Sequence, residues 1–108
     1  MKYYNSNKEL FKDLYNKINE HSQIYIFDIK SKINFDDLNV SALNIKTENN
    51  LEIIRSIKDQ SSIQNMINKI SNHIKEYNGN GQNVYVLLCG IGDIEFEEPN
   101  NINLLATK

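Results

Sequence analysis

The stretch Val84-Tyr85-Val86-Leu87-Leu88-Cys89-Gly90-Ile91-Gly92-Asp93-Ile94-Glu95-Phe96-Glu97 decides how the fold is read. Val84 to Cys89 is the longest unbroken apolar run in the chain. A short run of that kind, β-branched and aromatic in part, predicts a strand covered on both faces. Two glycines one residue apart then supply a turn, and Ile94, Glu95, Phe96 and Glu97 alternate with the period of two of a half-buried strand. Together they predict a hairpin, with Gly90 to Asp93 as its turn and Pro99 ending the returning strand because proline cannot donate to a ladder. A hairpin makes the sheet antiparallel, and the expected architecture follows from that.

Upstream, Ser61 with Gln64 has the spacing of a capping box, and Ile63, Met66, Ile67, Ile70, Ile74 and Tyr77 recur at helical spacing behind it. Asn78-Gly79-Asn80-Gly81 supplies residues that stop a helix. The first half repeats the theme. Ser6 with Glu9 is a capping box, and Leu10, Phe11, Leu14, Tyr15 and Ile18 form an apolar stripe, predicting a helix over about 6–20. Ile24 to Ile29 then reads as a second strand covered on both faces. Residues 31–57 alternate weakly. A hairpin turning near Glu48-Asn49-Asn50 and a helix starting at Thr47 both satisfy the turn and cap preferences there.

Three matches occur in the same order in both halves: Asn16-Lys17-Ile18 with Asn68-Lys69-Ile70, Ile24-Tyr25-Ile26 with Val84-Tyr85-Val86, and Ile33 to Asn39 with Ile94 to Asn100. The order predicts an internal duplication with halves 6–47 and 61–108, chance matching in an Asn-, Ile- and Lys-rich chain being the alternative. The fold class expected is α+β. It would be a two-layer sandwich, with a mostly antiparallel sheet of four or more strands and both main helices on one face. Such a sheet leaves Tyr25, Phe27, Tyr85 and Leu87 too little cover, so homodimerisation across the open face is expected.

The 108 residues carry 12 Lys+Arg against 14 Asp+Glu, a formal net charge of −2. A chain of this length is one domain, 1–108, which buries roughly two-thirds of its unfolded surface, too little to expect a deep internal active-site cavity. No apolar run approaches the ~20 residues that cross a bilayer, and the amino terminus has no apolar h-region. A single cysteine excludes an intramolecular disulfide and a multi-cysteine metal site, so a cytoplasmic location is expected. Arg55 is the only arginine, and the slight acidity argues against nucleic acid as partner. The Asn, Ile and Lys bias fits an AT-rich coding sequence of a low-GC bacterium, its phages or plasmids.

Gly90-Ile91-Gly92 lacks the third glycine and following helix of a dinucleotide fingerprint. Cys89 reads as a small hydrophobe, since no basic group nearby in sequence lowers its pKa. His21 and His73 read as helix-end residues, and a metal site would need both ends to converge with carboxylates. No cofactor or metal and no catalytic residue is expected. The acidic residues form the one constellation with a functional reading. Asp93, Glu95 and Glu97 alternate onto one face of the expected last strand, Glu98 adds to them, and Asp36 and Asp37 hold the matching place in the first half. Such an edge either keeps a sheet soluble or meets a basic partner. The function expected is therefore that of a non-enzymatic protein-binding module, regulatory, inhibitory or adaptor in kind, using this acidic edge with Tyr25 and Tyr85 as aromatic contacts. The alternative is a nucleic-acid-binding accessory protein that uses Lys8, Lys12, Asn16 and Lys17 with Asn65, Asn68, Lys69 and Lys75; a metal-dependent enzyme using Asp93, Glu95 and Glu97 comes third.

Overall fold

The computed structural model describes residues 2–30, 33–34, 36, 38–39, 41–42, 51–54, 59–77 and 83–108. The turn at 48–50, the helix start at Thr47 and the Asn78–Gly81 stop signal lie outside them. In chain order the elements are β1 (Lys2–Tyr4), α1 (Asn7–Lys17), β2 (Gln23–Asp28), β3 (Leu51–Ile54), α2 (Gln60–Tyr77), β4 (Val84–Cys89) and β5 (Asn103–Thr107). The strands form one sheet in the order β1-β5-β4-β2-β3, and every neighbouring pair is parallel.

This overturns the mostly antiparallel sheet. No hairpin forms at Gly90 to Asp93, and residues 94–98 are not a strand. The helices also take opposite faces. Leu10, Phe11, Leu14 and Ile18 of the α1 region cluster with Ile24, Ile26, Leu87, Cys89 and Leu105. Ile63, Ile67 and Ile74 of α2 cluster instead with Phe27, Val86, Leu88, Leu104 and Ala106. Successive strand residues point to opposite faces, so the two lists are the two sides of one sheet, and the layers run helix, sheet, helix. A near-continuous apolar strand is what a parallel sheet buried on both faces requires. The open face that called for a second subunit is therefore covered. Phe27 and Leu87 are fully buried, on the α2 and α1 sides respectively.

The same register removes the helix–strand–returning strand repeat. Ile24 pairs with Tyr85 and Tyr25 with Val86, one position off the sequence match, so the matched tyrosines stand on opposite faces. Ile94 to Glu97 instead belongs to the β4–β5 connection. Two parallel neighbours need a crossover that returns the chain to the amino end of the sheet, and residues 90–102 make that return as a strap along α2. The alternation in sequence survives as packing: Ile94 and Phe96 are half-buried against the α2-side cluster, while Glu95 and Glu97 face out.

Local signals at the helices held with adjustments. Ser6 caps α1, its Oγ accepting from the Glu9 N–H at 3.1 Å. The helix ends at Lys17, and the Ile18 N–H still donates to the Leu14 carbonyl. α2 is capped by Asp59 rather than Ser61. The Asp59 carboxylate accepts from the Ser62 N–H at 2.8 Å and from both serine hydroxyls, and these bonds hold it below the usual carboxylate range. β1 and β5 were not foreseen. β5 lies between β4 and β1, with Leu104, Leu105 and Ala106 buried.

Asp13 joins edge strand β1 to α1. It accepts from the Tyr4 hydroxyl and pairs with Lys17 at 3.0 Å and Lys2 at 3.3 Å. The Tyr4 hydrogen bond first, then Lys17, brings its carboxyl from 3.8 down to about 2. A carboxyl depressed on folding stabilises above its unfolded pKa and loses that contribution as pH falls through its folded value. Asp13→Asn is therefore expected to be less stable than the wild type at neutral pH. The gap should close as pH falls from 3.8 to about 2. Urea midpoints of both proteins across that window check it, and a gap independent of pH would refute it.

Candidate functional site

In a parallel sheet all carboxyl ends lie together, here Tyr4, Asp28, Ile54, Cys89 and Thr107. The chain leaves β2 toward β3 on one side and leaves β4 toward β5 on the other. The connections therefore part between β2 and β4, the place where open α/β sheets form a crevice. Asp28, 1% exposed, ends β2, and its Oδ1 accepts from the Ile33 N–H at 3.3 Å. Cys89 ends β4 opposite Asp28. Burial, with the Asp28 charge adding to it, pushes the Cys89 thiol up to about 12, so it acts as a small hydrophobe and not as a nucleophile.

The turn after β4 bends toward β5. Gly90 and Gly92 take φ of +76° and +69°. The N–H groups of Gly90 and Ile91 donate to the Thr107 carbonyl, and that of Gly92 to the Lys108 carbonyl, at 3.0–3.1 Å. These amides are consumed within the fold, which removes the chemistry a phosphate-cradling loop would need. The Thr107 hydroxyl accepts from the Gly90 N–H at 3.0 Å and donates to Asn7 Oδ1 at 2.6 Å, joining this turn to the start of α1. Lys30 has φ +156°, and its ammonium lies 3.4 Å from where a Cβ at Gly92 would stand. An open groove of about 660 Å³ lies beyond, lined by Tyr3, Tyr4, Asn5, Ser6, Asn7, Thr107 and Lys108.

The acidic residues foreseen as one edge are separated. Glu95, Glu97 and Glu98 are exposed on the strap. Asp93, with its side chain 90% exposed, pairs with Lys108 at 3.1 Å. Asp36 is exposed on the β2–β3 connection, between Ile33 and Leu38, which pack on the α1 side, whereas the strap packs on the α2 side. Asp37 lies outside the described residues. Tyr25 and Tyr85 are half-buried on opposite faces, and the Tyr85 hydroxyl reaches the Lys17 carbonyl at 3.4 Å. The lysine- and asparagine-bearing sides of α1 and α2 likewise face away from each other across the sheet, and Lys17 is paired with Asp13.

The strap is fastened along α2. Gln64 donates from Nε2 to the Glu97 carbonyl at 3.1 Å and accepts from the Glu97 N–H at 3.0 Å. Gln60 donates to the Glu95 carbonyl at 2.9 Å. Ser71 donates to Asn101 Oδ1 at 2.6 Å, and Asn101 Nδ2 returns a bond to the Ser71 carbonyl at 3.0 Å. Gln64, read from sequence as half of a capping box, thus holds the strap instead. Its spacing from Ser61 concealed that role. A shallow polar groove of about 340 Å³ separates strap and helix, lined by Asn68, Ser71, Asn72, Lys75, Glu97, Glu98 and Pro99.

Among the described residues no group of three or more His, Cys, Asp or Glu side chains is placed to hold a metal ion. None of their helices is long and apolar enough to cross a membrane. Comparison with protein-family models, with curated proteins and with solved structures finds no match to this chain.

Proposed function

We propose that this chain is a non-catalytic protein-binding module of the cytoplasm, regulatory, inhibitory or adaptor in kind, which meets a basic partner through the strap. The observation that supports this reading is the two-point bond between Gln64 and the Glu97 backbone, with Gln60 and Ser71 on either side. An acidic segment held in one conformation loses little entropy on binding. Its carboxylates project outward because Ile94 and Phe96 are turned toward α2. Complementary charge would speed and select the encounter.

The test is affinity capture from a low-GC bacterial lysate with wild type and with the triple variant Glu95→Lys, Glu97→Lys, Glu98→Lys. These side chains are exposed, so the variant is expected to keep its melting temperature. A stoichiometric partner should be captured by the wild type and bind the variant at least about tenfold more weakly, about 1.4 kcal/mol. Capture unchanged by charge reversal, or no partner at all, refutes the reading.

A further inference from the structure

We propose that the crevice where β2 and β4 part is a binding site for a small phosphate-bearing molecule, with the Lys30 ammonium as its anion contact. The inference is independent of the strap. It begins with topology: the connections leave β2 and β4 in opposite directions, so no crossover lies between the two carboxyl ends. Lys30, two residues past the end of β2, reaches from one lip of this crevice to the other. Its ammonium stands 3.4 Å from the position a Gly92 Cβ would take. Among the described residues that ammonium makes no hydrogen bond or ion pair. Asp93, the acid next to Gly92, is engaged by Lys108 at 3.1 Å.

The chemistry of the ligand follows from what is left. The N–H groups of Gly90, Ile91 and Gly92 are bonded to Thr107 and Lys108, so an anion would be held by a side-chain charge and not by a backbone cradle. A compact ammonium binds phosphate as a point charge, without the planar fork that arginine presents to phosphate and carboxylate alike. The ligand is small because the strap that continues from this turn carries Glu95, Glu97 and Glu98, and the chain has a formal net charge of −2, which together repel a polyanion. Asp28, buried at the end of β2, positions the following connection by accepting from the Ile33 N–H at 3.3 Å.

Amide spectra of the ¹⁵N-labelled full chain, titrated with inorganic phosphate and separately with adenosine monophosphate, test the site. Saturable shifts are expected at Lys30, Gly90 and Gly92, with a midpoint in the millimolar range for phosphate and at least about tenfold weaker binding in Lys30→Gln. Equal affinity for the two probes identifies a free oxyanion as ligand; tighter binding of the nucleotide identifies a phosphate carried on a larger molecule. Shifts that do not saturate, that spread over every lysine-bearing surface, or that survive in Lys30→Gln overturn the proposal. So does loss of binding in Lys108→Gln with retention in Lys30→Gln, which would place the anion in the groove beside α1.

Discussion

Phe27→Ala is expected to cost about 3–5 kcal/mol of stability, and Phe11→Ala a similar amount. Both rings are fully buried, yet they share no cluster: Phe11 packs on the α1 side of the sheet and Phe27 on the α2 side. In a two-layer sandwich one sheet face would be open to solvent, and truncating a residue there would be nearly neutral. A large loss at Phe27 together with one for Leu87→Ala, Leu87 being fully buried on the opposite face of the sheet, distinguishes three layers from two, and a loss near zero at Phe11 or Phe27 would exclude the described arrangement. Gentler substitutions show the separation of the clusters directly. Ile26→Val and Ile67→Val lie on opposite sides of the sheet, and each should cost about 0.5–1.5 kcal/mol. Their double variant should be additive to within about 0.5 kcal/mol, since they have no partner in common. Urea denaturation of the four proteins measures the coupling.

The second large effect is expected at the turn after β4. Gly90 is buried with φ +76°, a conformation that a β-branched residue occupies only under strain. Gly90→Val should cost about 1–3 kcal/mol on backbone grounds alone. Thr107→Val attacks the same junction from the other side. It deletes a hydroxyl that accepts from the Gly90 N–H and donates to Asn7, and since the Gly90 N–H keeps its bond to the Thr107 carbonyl the expected cost is about 0.5–1.5 kcal/mol. Thr107→Ser keeps the hydroxyl and should recover most of that loss. If valine and serine at 107 prove equally destabilising, the methyl group and not the hydroxyl matters, and the proposed junction between β4, β5 and α1 is wrong.

The helices were legible because their signals are local. The Ser6 cap and the stripe Leu10, Phe11, Leu14, Ile18 sit within one element, and so do Ile63, Ile67 and Ile74. Strands β2 and β4 were legible for the same reason. Their unbroken apolar character calls for cover on both faces, which α1 and α2 supply from opposite sides of the sheet. The sheet's direction was not legible, because a Gly-x-Gly turn followed by alternating residues describes a returning strand and an extended crossover equally well. What separated them was Gln60, Gln64 and Ser71 on a helix far back in sequence, whose bonds to the strap replace a strand ladder.

The candidate sites divide in the same way. That Glu95 and Glu97 face outward followed from their alternation with Ile94 and Phe96, and it holds although the segment is no strand. That Asp36 lies on the other side of the molecule, and that Tyr25 and Tyr85 look in opposite directions, could not follow from matching residues in order. A shift of one position in strand register exchanges the two faces of a sheet. The amino-acid sequence by itself determined where helices α1 and α2 and the inner strands β2 and β4 lie, because caps and apolar periodicity act over a few residues. Only the tertiary structure decided that the strands run parallel, that β5 inserts between β1 and β4, and that Lys30 meets Gly92. Those outcomes depend on which distant surfaces bury each other, and no local pattern carries that information.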